Sequence, residues 1–355
     1  MVGRLKTEYI PYSFYAIMHK GKVLKRRIRP LSIMEEGLSK ANPTIKALKD
    51  SADELGIKVE DLVDDAYEFK LGNVTRRICL GPVFDLENAF TYWLCGNKYA
   101  TFEILSKYGF HQVPNYERYS LATIKDARHD FSMRNKSVVI KPCFGTSRGK
   151  GVTVDIRSMK ELNRAIYNSL MYDSNYLMED FIEGDHFRIL FFKDRMLDAF
   201  QRIPANVIGD GVNNLRNLIR VENDRRVREK NDLPLYPIVI DNDVKQCLHN
   251  KKISLNHVPE KDERVYVRTA INYMAGGETK NVKSIVHEDI ISDCRNIMRI
   301  MDVTLGGIDV ITKNIGKPLA ETGGAINEVN TSPGLFVHDR EVIRNVLNLM
   351  FERNP

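Results

Sequence analysis

At 355 residues, with a net charge of +6, 43% hydrophobic and 28% charged side chains, the chain is sized for two or three subdomains and composed like an ordinary globular protein. No apolar run approaches the roughly 20 residues a membrane helix needs. The N-terminus has Arg4 and Lys6 but no apolar core with a small-residue cleavage site, so no secretory signal is visible. Five scattered cysteines without a C-x-x-C pair argue against a disulfide frame or zinc site and for a reducing, cytoplasmic setting. The modest positive charge suits an anionic ligand such as a nucleotide and does not by itself argue for nucleic acid.

Residues 1–95 read as a mixed α/β N-terminal domain. Tyr15–Met18 is a candidate strand, and the basic run Lys20–Arg29 reads as a solvated face. Asn42 and Pro43 open a helix as N-cap and first helical residue, Ile45, Leu48, Ala52 and Leu55 form its apolar stripe, and Gly56 ends it. Asn97 to Gly109 reads as a short amphipathic helix running from a polar turn to a glycine. Val138–Pro142 is an apolar strand ending in Lys141, followed by the glycine-bearing loop Phe144–Gly151 and the strand Val152–Ile156. Backbone amides of such a hairpin can approach phosphate closely where Gly145, Gly149 and Gly151 lack side chains, and Ser147, Arg148 and Lys150 add donors and charge. A strand follows the loop, so it is neither the strand–loop–helix phosphate loop nor the dinucleotide fingerprint.

Ser158 and Glu161 form a capping box at the next helix. Tyr176–Gly184 is an apolar strand that turns into a hinge, whose backbone could meet an adenine edge while Phe181 and Ile182 pack on its faces. Phe187–Phe192 and Met196–Arg202 are strands joined by Lys193–Arg195, and Asn214–Asn223 is a helix. The charge-dense Glu222–Lys230 reads as a mobile surface loop. Glu263–Arg268 is a strand leading to the loop that ends in Gly276-Gly277. Ile290, Cys294, Ile297 and Met301 mark a helix over His287–Met301, and Asp339 caps a last helix with Ile343, Val346, Leu347 and Met350 inward.

Leu319–Leu335 carries the most chemistry. Its centre, Ile326–Asn330, mixes apolar and polar side chains as a strand with one buried face would, and Pro333-Gly334 stops it. Glu328 and Asn330, two apart, leave one face roughly 6–7 Å from each other. Upstream, Gly306–Ile311 is an apolar strand with one acid, Asp309. A lone acid there costs several kcal/mol unless it pairs or binds metal. Asp309, Glu328 and Asn330 read as one oxygen-donor set suited to Mg²⁺, split over two neighbouring strands. No Ser-His-Asp or Cys-His arrangement is visible, and the eight histidines are dispersed.

In this order the pieces resemble the ATP-grasp superfamily of carboxylate–amine ligases, from about Trp93 to His338. The specific parts are Asn97-Lys98, Val138–Pro142 with the glycine loop, Glu179–Gly184, Ile308–Val310 and Asn327–Gly334. The likeness is strongest to the ATP-grasp region of cyanophycin synthetases, through Arg202–Val212, Leu215–Ile219 and Arg268 to Gly277, and bifunctional glutathione synthetases and ribosomal-protein glutamate ligases share much of it. The resemblance implies an α/β (α+β) ATP-grasp fold, with an N-terminal α/β domain over 1–95, a lid and central subdomain over 96–190, and a C-terminal subdomain with the metal site over 191–355, the last two gripping ATP.

It also implies roles, residue by residue. Lys98 and Lys141 would contact ATP phosphates, and the loop Gly145, Thr146, Ser147, Arg148, Gly149 to Gly151 would close over them. Glu179, Asp180 and the Phe181-Ile182 backbone would hold adenine. His186 stands where the family usually has an acid for the ribose. Arg268 and Asn272, with Arg202, would line the phosphates and the reacting acyl group. Asp309, Glu328 and Asn330 would hold two Mg²⁺ ions, with Mn²⁺ as a substitute. D-alanine–D-alanine ligases have an arginine where this chain has Gly307, so the oxyanion role passes to another residue, for which Arg268 is the candidate. Cyanophycin synthetases carry a second, Mur-ligase-like domain that is not found before Pro355, so the two-step alternation that makes cyanophycin is not expected.

The expected reaction converts an amino acid or peptide carboxylate to an acylphosphate that an amine attacks, releasing ADP and phosphate. A homodimer or homotetramer is expected, with no nucleic-acid or membrane partner. The alternatives are a ligase that modifies a ribosomally made precursor, with the N-terminal basic cluster holding an acidic leader, and a non-catalytic nucleotide-binding regulator. Arg188, Arg202, Arg216 and His338 are candidates for fixing a substrate carboxylate, Arg216 reading more simply as a surface charge.

Overall fold

The computed structural model describes residues 43–79, 83–144, 149–228, 235–269, 271 and 273–352. Tyr15–Met18, the Lys20–Arg29 cluster, Gly145, Thr146, Ser147, Arg148 and Asn272 lie outside the described residues. The chain divides into two compact units. One holds Asn88–Glu183 with Ala325–Glu328; the other holds Pro43–Glu87, Gly184–Gly324 and the chain from Val329 onward.

Helix α1 (Pro43–Glu54) presents buried Ile45, Leu48 and Ala52, and Gly56 ends it at φ +68°. Strands β1 (Lys58–Val63), β2 (Ala66–Leu71), β3 (Val74–Cys79) and β4 (Val83–Phe84) then form an antiparallel meander.

The first-named unit begins with α2 (Ala89–Gly96) and α3 (Lys98–Lys107), followed by β5 (Tyr116–Ser120), α4 (Ile124–Met133), β6 (Val138–Pro142), β7 (Thr153–Ile156), α5 (Met159–Leu170) and β8 (Asn175–Asp180). Its sheet has the antiparallel order β5-β8-β6-β7. Strand alternation sorts its side chains. Val138, Ile140, Tyr176 and Met178 join Ala127, Leu162 and Ile166 of α4 and α5 in one core. Leu177 instead packs with Phe102 and Cys143. The capping box forms as expected: Glu161 N–H donates to Ser158 Oγ at 3.3 Å and Ser158 N–H to Glu161 Oε2 at 3.0 Å. Ser158→Ala is expected to cost about 1 kcal/mol, read as a lower denaturant midpoint at unchanged slope.

The second unit continues with β9 (Asp185–Phe192), β10 (Arg195–Ile203), β11 (Asn206–Ile208), α6 (Leu215–Arg228), α7 (Asn242–Asn250), β12 (Arg264–Tyr266), β13 (Glu278–Asn281), α8 (Glu288–Ile300), β14 (Leu305–Thr312), α9 (Leu319–Thr322), the last residues of β15 (Ala325–Thr331), whose Ala325–Glu328 belong to the first unit, and α10 (Arg340–Met350). Its main sheet runs β13-β10-β9-β14-β15. Directly opposed residues share a face. The row Phe192/Leu305 is followed by Leu190/Gly307/Asp198, then Arg188/Asp309/Phe200, then His186/Ile311/Arg202. The face is therefore apolar at one end and charged at the other. Leu190, Phe192 and Leu305 share a core with α1, the meander and Ile343, Val346 and Leu347 of α10. Between β10 and β13, a small subcore joins Val207, Leu215, Ile219, Val244, Leu248 and Val265.

Glu222–Arg228 is not a loop but the end of α6. The charge run hides a buried residue: Arg226 donates to Glu222, Glu278, Tyr236 O and Gly276 O at 2.6–2.9 Å. Four acceptors satisfy a guanidinium that would otherwise keep this segment in water.

Candidate active site

In the first unit, Asn97 caps α3 by accepting from Ala100 N–H at 3.1 Å, and Lys98 N–H donates to Cys143 O at 2.8 Å. These bonds seat Lys98 beside the end of β6. Its Nζ lies 2.8 Å from Glu328 Oε1. Lys141 projects on the Phe102 side of β6, with Nζ 5.1 Å from the ring centre, 2.7 Å from Glu179 Oε2 and 3.5 Å from Asn327 Oδ1. Lys98, Lys141 and Glu179 are all buried, and Lys and Glu are almost never so unless paired. Burial pushes the Glu179 carboxyl above its ordinary range, only partly opposed by the Lys141 and Lys98 charges. Burial also raises the Cys143 thiol to about 12, which makes it an inert neighbour.

The residues expected at the adenine hinge divide. Asp180 accepts from Arg134 at 2.5 Å, tying the end of α4 to β8. The Asp180 and Phe181 N–H groups donate to Asn115 O and Ser137 O, each at 2.9 Å. A ligand edge at this hinge would therefore meet Ile182 N–H and the carbonyls. Gly149 and Gly151 stand at φ +71° and +78°, and a Cβ on Gly151 would come within 2.7 Å of both Pro142 and Tyr172.

In the second unit, Arg188 grips Asp309 with two bonds, Nε to Oδ1 at 2.6 Å and Nη2 to Oδ2 at 2.8 Å. Arg202 Nη1 adds a third to Oδ2 at 3.1 Å, and its Nη2 donates to Ile271 O at 2.9 Å. Burial alone would raise the Asp309 carboxyl, but the two guanidinium charges hold it below the usual range. His186, opposite Arg202, is lowered by burial and by that arginine's charge. Asn330 Nδ2 donates to Gly307 O at 3.4 Å, which turns its amide oxygen away from that carbonyl. A Cβ on Gly307 would stand 3.3 Å from both Arg188 Cδ and Pro333 Cβ. The bare glycine thus leaves room for an arginine that arrives from the adjacent strand.

Arg268 follows Val267 of the small subcore. It donates to Asp241 Oδ2 at 2.6 Å, Val239 O at 3.0 Å and Asp243 Oδ2 at 3.4 Å, while Asp241 also caps α7. Arg216 is exposed on α6. Sequence reading did not find Arg188 as the partner of Asp309, Asp241 as the holder of Arg268, or Asp198 as the partner of His338. Only the lone acid in an apolar strand signalled that Asp309 needs a cation.

No protein-family model matches the chain. It is 32% identical over 225 residues to cyanophycin synthetase of Crocosphaera subtropica, covering 60% of this chain and 26% of that protein. It is 25% identical over 313 residues to the glutathione biosynthesis bifunctional protein of Pasteurella multocida, covering 83% of this chain and 41% of that one. The chain thus spans less than half the length of these relatives. A crystal structure of a bifunctional glutathione synthetase from Pasteurella multocida superposes with a TM-score of 0.64 at 23% identity, covering 89% of this chain and 44% of that one. The main resemblance drawn from the motifs holds: the chain carries the ATP-grasp fold and is related in sequence to the cyanophycin synthetases.

Proposed function

We propose that the chain is an ATP-dependent ligase that joins the carboxylate of an amino acid or peptide to an amine through an acylphosphate. The observation that carries this reading is the pair of buried lysines, Lys98 and Lys141, whose ammonium groups reach adjacent residues of β15, Glu328 and Asn327. Buried ammonium groups held by ion pairs are suited to receive phosphate oxygens. The relatives, a cyanophycin synthetase and a glutathione biosynthesis protein, support amide formation on amino acids.

ATP enters as a substrate. Lys98 and Lys141 bind its phosphates together with the glycine loop, and Ile182 N–H and the hinge carbonyls meet the adenine edge. Asp309, Glu328 and Asn330 carry two carboxylates and an amide oxygen, hard donors of the type that Mg²⁺ takes. These residues would hold it, and when bound it neutralises developing phosphoryl charge. In the structure the same carboxylates are neutralised by Arg188, Arg202 and Lys98. Arg188 and Arg202, which flank Asp309, would orient the substrate carboxylate and stabilise the tetrahedral oxyanion. Arg188 suits this place because Gly307 leaves it room.

A matrix of amino acids offered as donors and acceptors, read by phosphate release and mass spectrometry, is expected to show ADP formation dependent on one acid and one amine. ATP binding without product across the matrix would reduce the chain to a nucleotide-binding protein.

A further inference from the structure

On the same sheet face, next to the Arg188/Asp309 row, lies a group the ligase reading leaves unused. His338 is 2% exposed, and its Nδ1 stands 2.6 Å from Asp198 Oδ2. The other carboxylate oxygen accepts from Ala199 N–H at 2.8 Å and Asn281 Nδ2 at 3.0 Å. Burial pushes the Asp198 carboxyl up, but His338, the Ala199 amide and the Lys283 charge hold it below its ordinary range. An ionised carboxylate only accepts, so Nδ1 carries a hydrogen, and in the neutral ring Nε2 has a bare lone pair. Nε2 is buried and has no hydrogen-bond partner among the described residues. Such an orphan costs about 1–3 kcal/mol unless another molecule supplies the donor. The His338 ring packs on Phe200 at 5.0 Å, and Phe200 lies directly opposite Arg188. The orienting carboxylate and the Arg188/Asp309 pair therefore occupy consecutive rows of one face, with the imidazole packed on Phe200 of the second row.

We propose that Asp198 and His338 form the base that takes the proton from the attacking amine, an assignment that rests on the ligase reading above. As the N–C bond forms at the acyl carbon, the bond from carbon to phosphate oxygen breaks, and its electron pair leaves with phosphate. The amine's proton goes to His338 Nε2. Asp198 sets the tautomer and stabilises the imidazolium that results. If the pair served only to clamp the turn at Leu335–Val337 onto β10, nothing would require the second ring nitrogen to stay unpaired.

The test separates acid activation from amine attack. His338→Asn keeps a donor near the Nδ1 position and removes Nε2. Native and variant proteins are given Mg-ATP and the twenty amino acids as donors, with either those amino acids or hydroxylamine as acceptor. Hydroxylamine is uncharged at neutral pH and captures an acylphosphate with little need of a base. The variant is expected to lose roughly 100-fold or more with amino-acid acceptors while hydroxamate formation stays within about threefold. Equal loss with both acceptors, or no loss, overturns the assignment. Asp198→Asn must show the same split in acceptors, and it carries the test if His338→Asn does not fold. A native protein that forms neither ADP nor hydroxamate removes the ligase reading itself, and this assignment with it.

Discussion

Replacing Glu328 with glutamine is expected to abolish amine-dependent ADP release while leaving the fold in place. The side chain keeps its shape and can still accept from Lys98, whose Nζ is 2.8 Å away. Glutamine cannot supply the negative charge that a hard cation requires. The expected loss is on the order of 10²–10³-fold, the scale of removing one preorganised transition-state contact. Glu328 is only partly buried, with 24% of its side chain exposed, so the loss of stability should stay near 1 kcal/mol. Steady-state ADP release and a thermal melt check both halves. Unchanged turnover with a native melt would exclude Glu328 from the reaction.

Lys141→Met is expected to have the larger effect on stability. The methionine fills the space against Phe102 but leaves Glu179 without its 2.7 Å partner in a site where both side chains are 4% exposed. Breaking a buried pair from one side costs about 3–5 kcal/mol. The cost depends on pH. Burial already holds the Glu179 carboxyl above its ordinary 4.5, so the folded chain binds that proton more tightly than the unfolded chain does. The associated stability is fully present below 4.5 and is lost as pH rises through the folded-state value. Without the lysine that value rises further. The variant should therefore approach native stability in mild acid and fall progressively behind it towards neutral pH. Urea unfolding at several pH values reads this directly, and a deficit that does not vary with pH would contradict it. Loss of ATP binding should accompany the substitution at every pH.

Much of this was legible because it is local. A run such as Val138–Pro142 has few alternatives to a buried strand, and Ser158 with Glu161 announces a helix start. Asp309, alone in an apolar strand, could be read as needing a cation or metal before any fold was known. What could not be read depends on partners distant in sequence. Arg226 stands in a run that looks solvated, and its burial rests on Glu278 and the Tyr236 and Gly276 carbonyls, 10 to 52 residues away. Asp198 and His338 are 140 residues apart, and only the sheet register and the turn after β15 bring them together. Gly307 signalled a missing arginine, while the residue that fills its space, Arg188, comes from the neighbouring strand. Arg268, the sequence candidate for the oxyanion role, is held by Asp241, 27 residues away.

The most direct test of the acylphosphate route follows oxygen. Amino acids labelled with ¹⁸O in their carboxylates are incubated with the protein, Mg-ATP and unlabelled amines, and the released phosphate is weighed by mass spectrometry. The account predicts one labelled oxygen carried from the carboxylate into phosphate for each amide formed. Amide formation accompanied by unlabelled phosphate would contradict it.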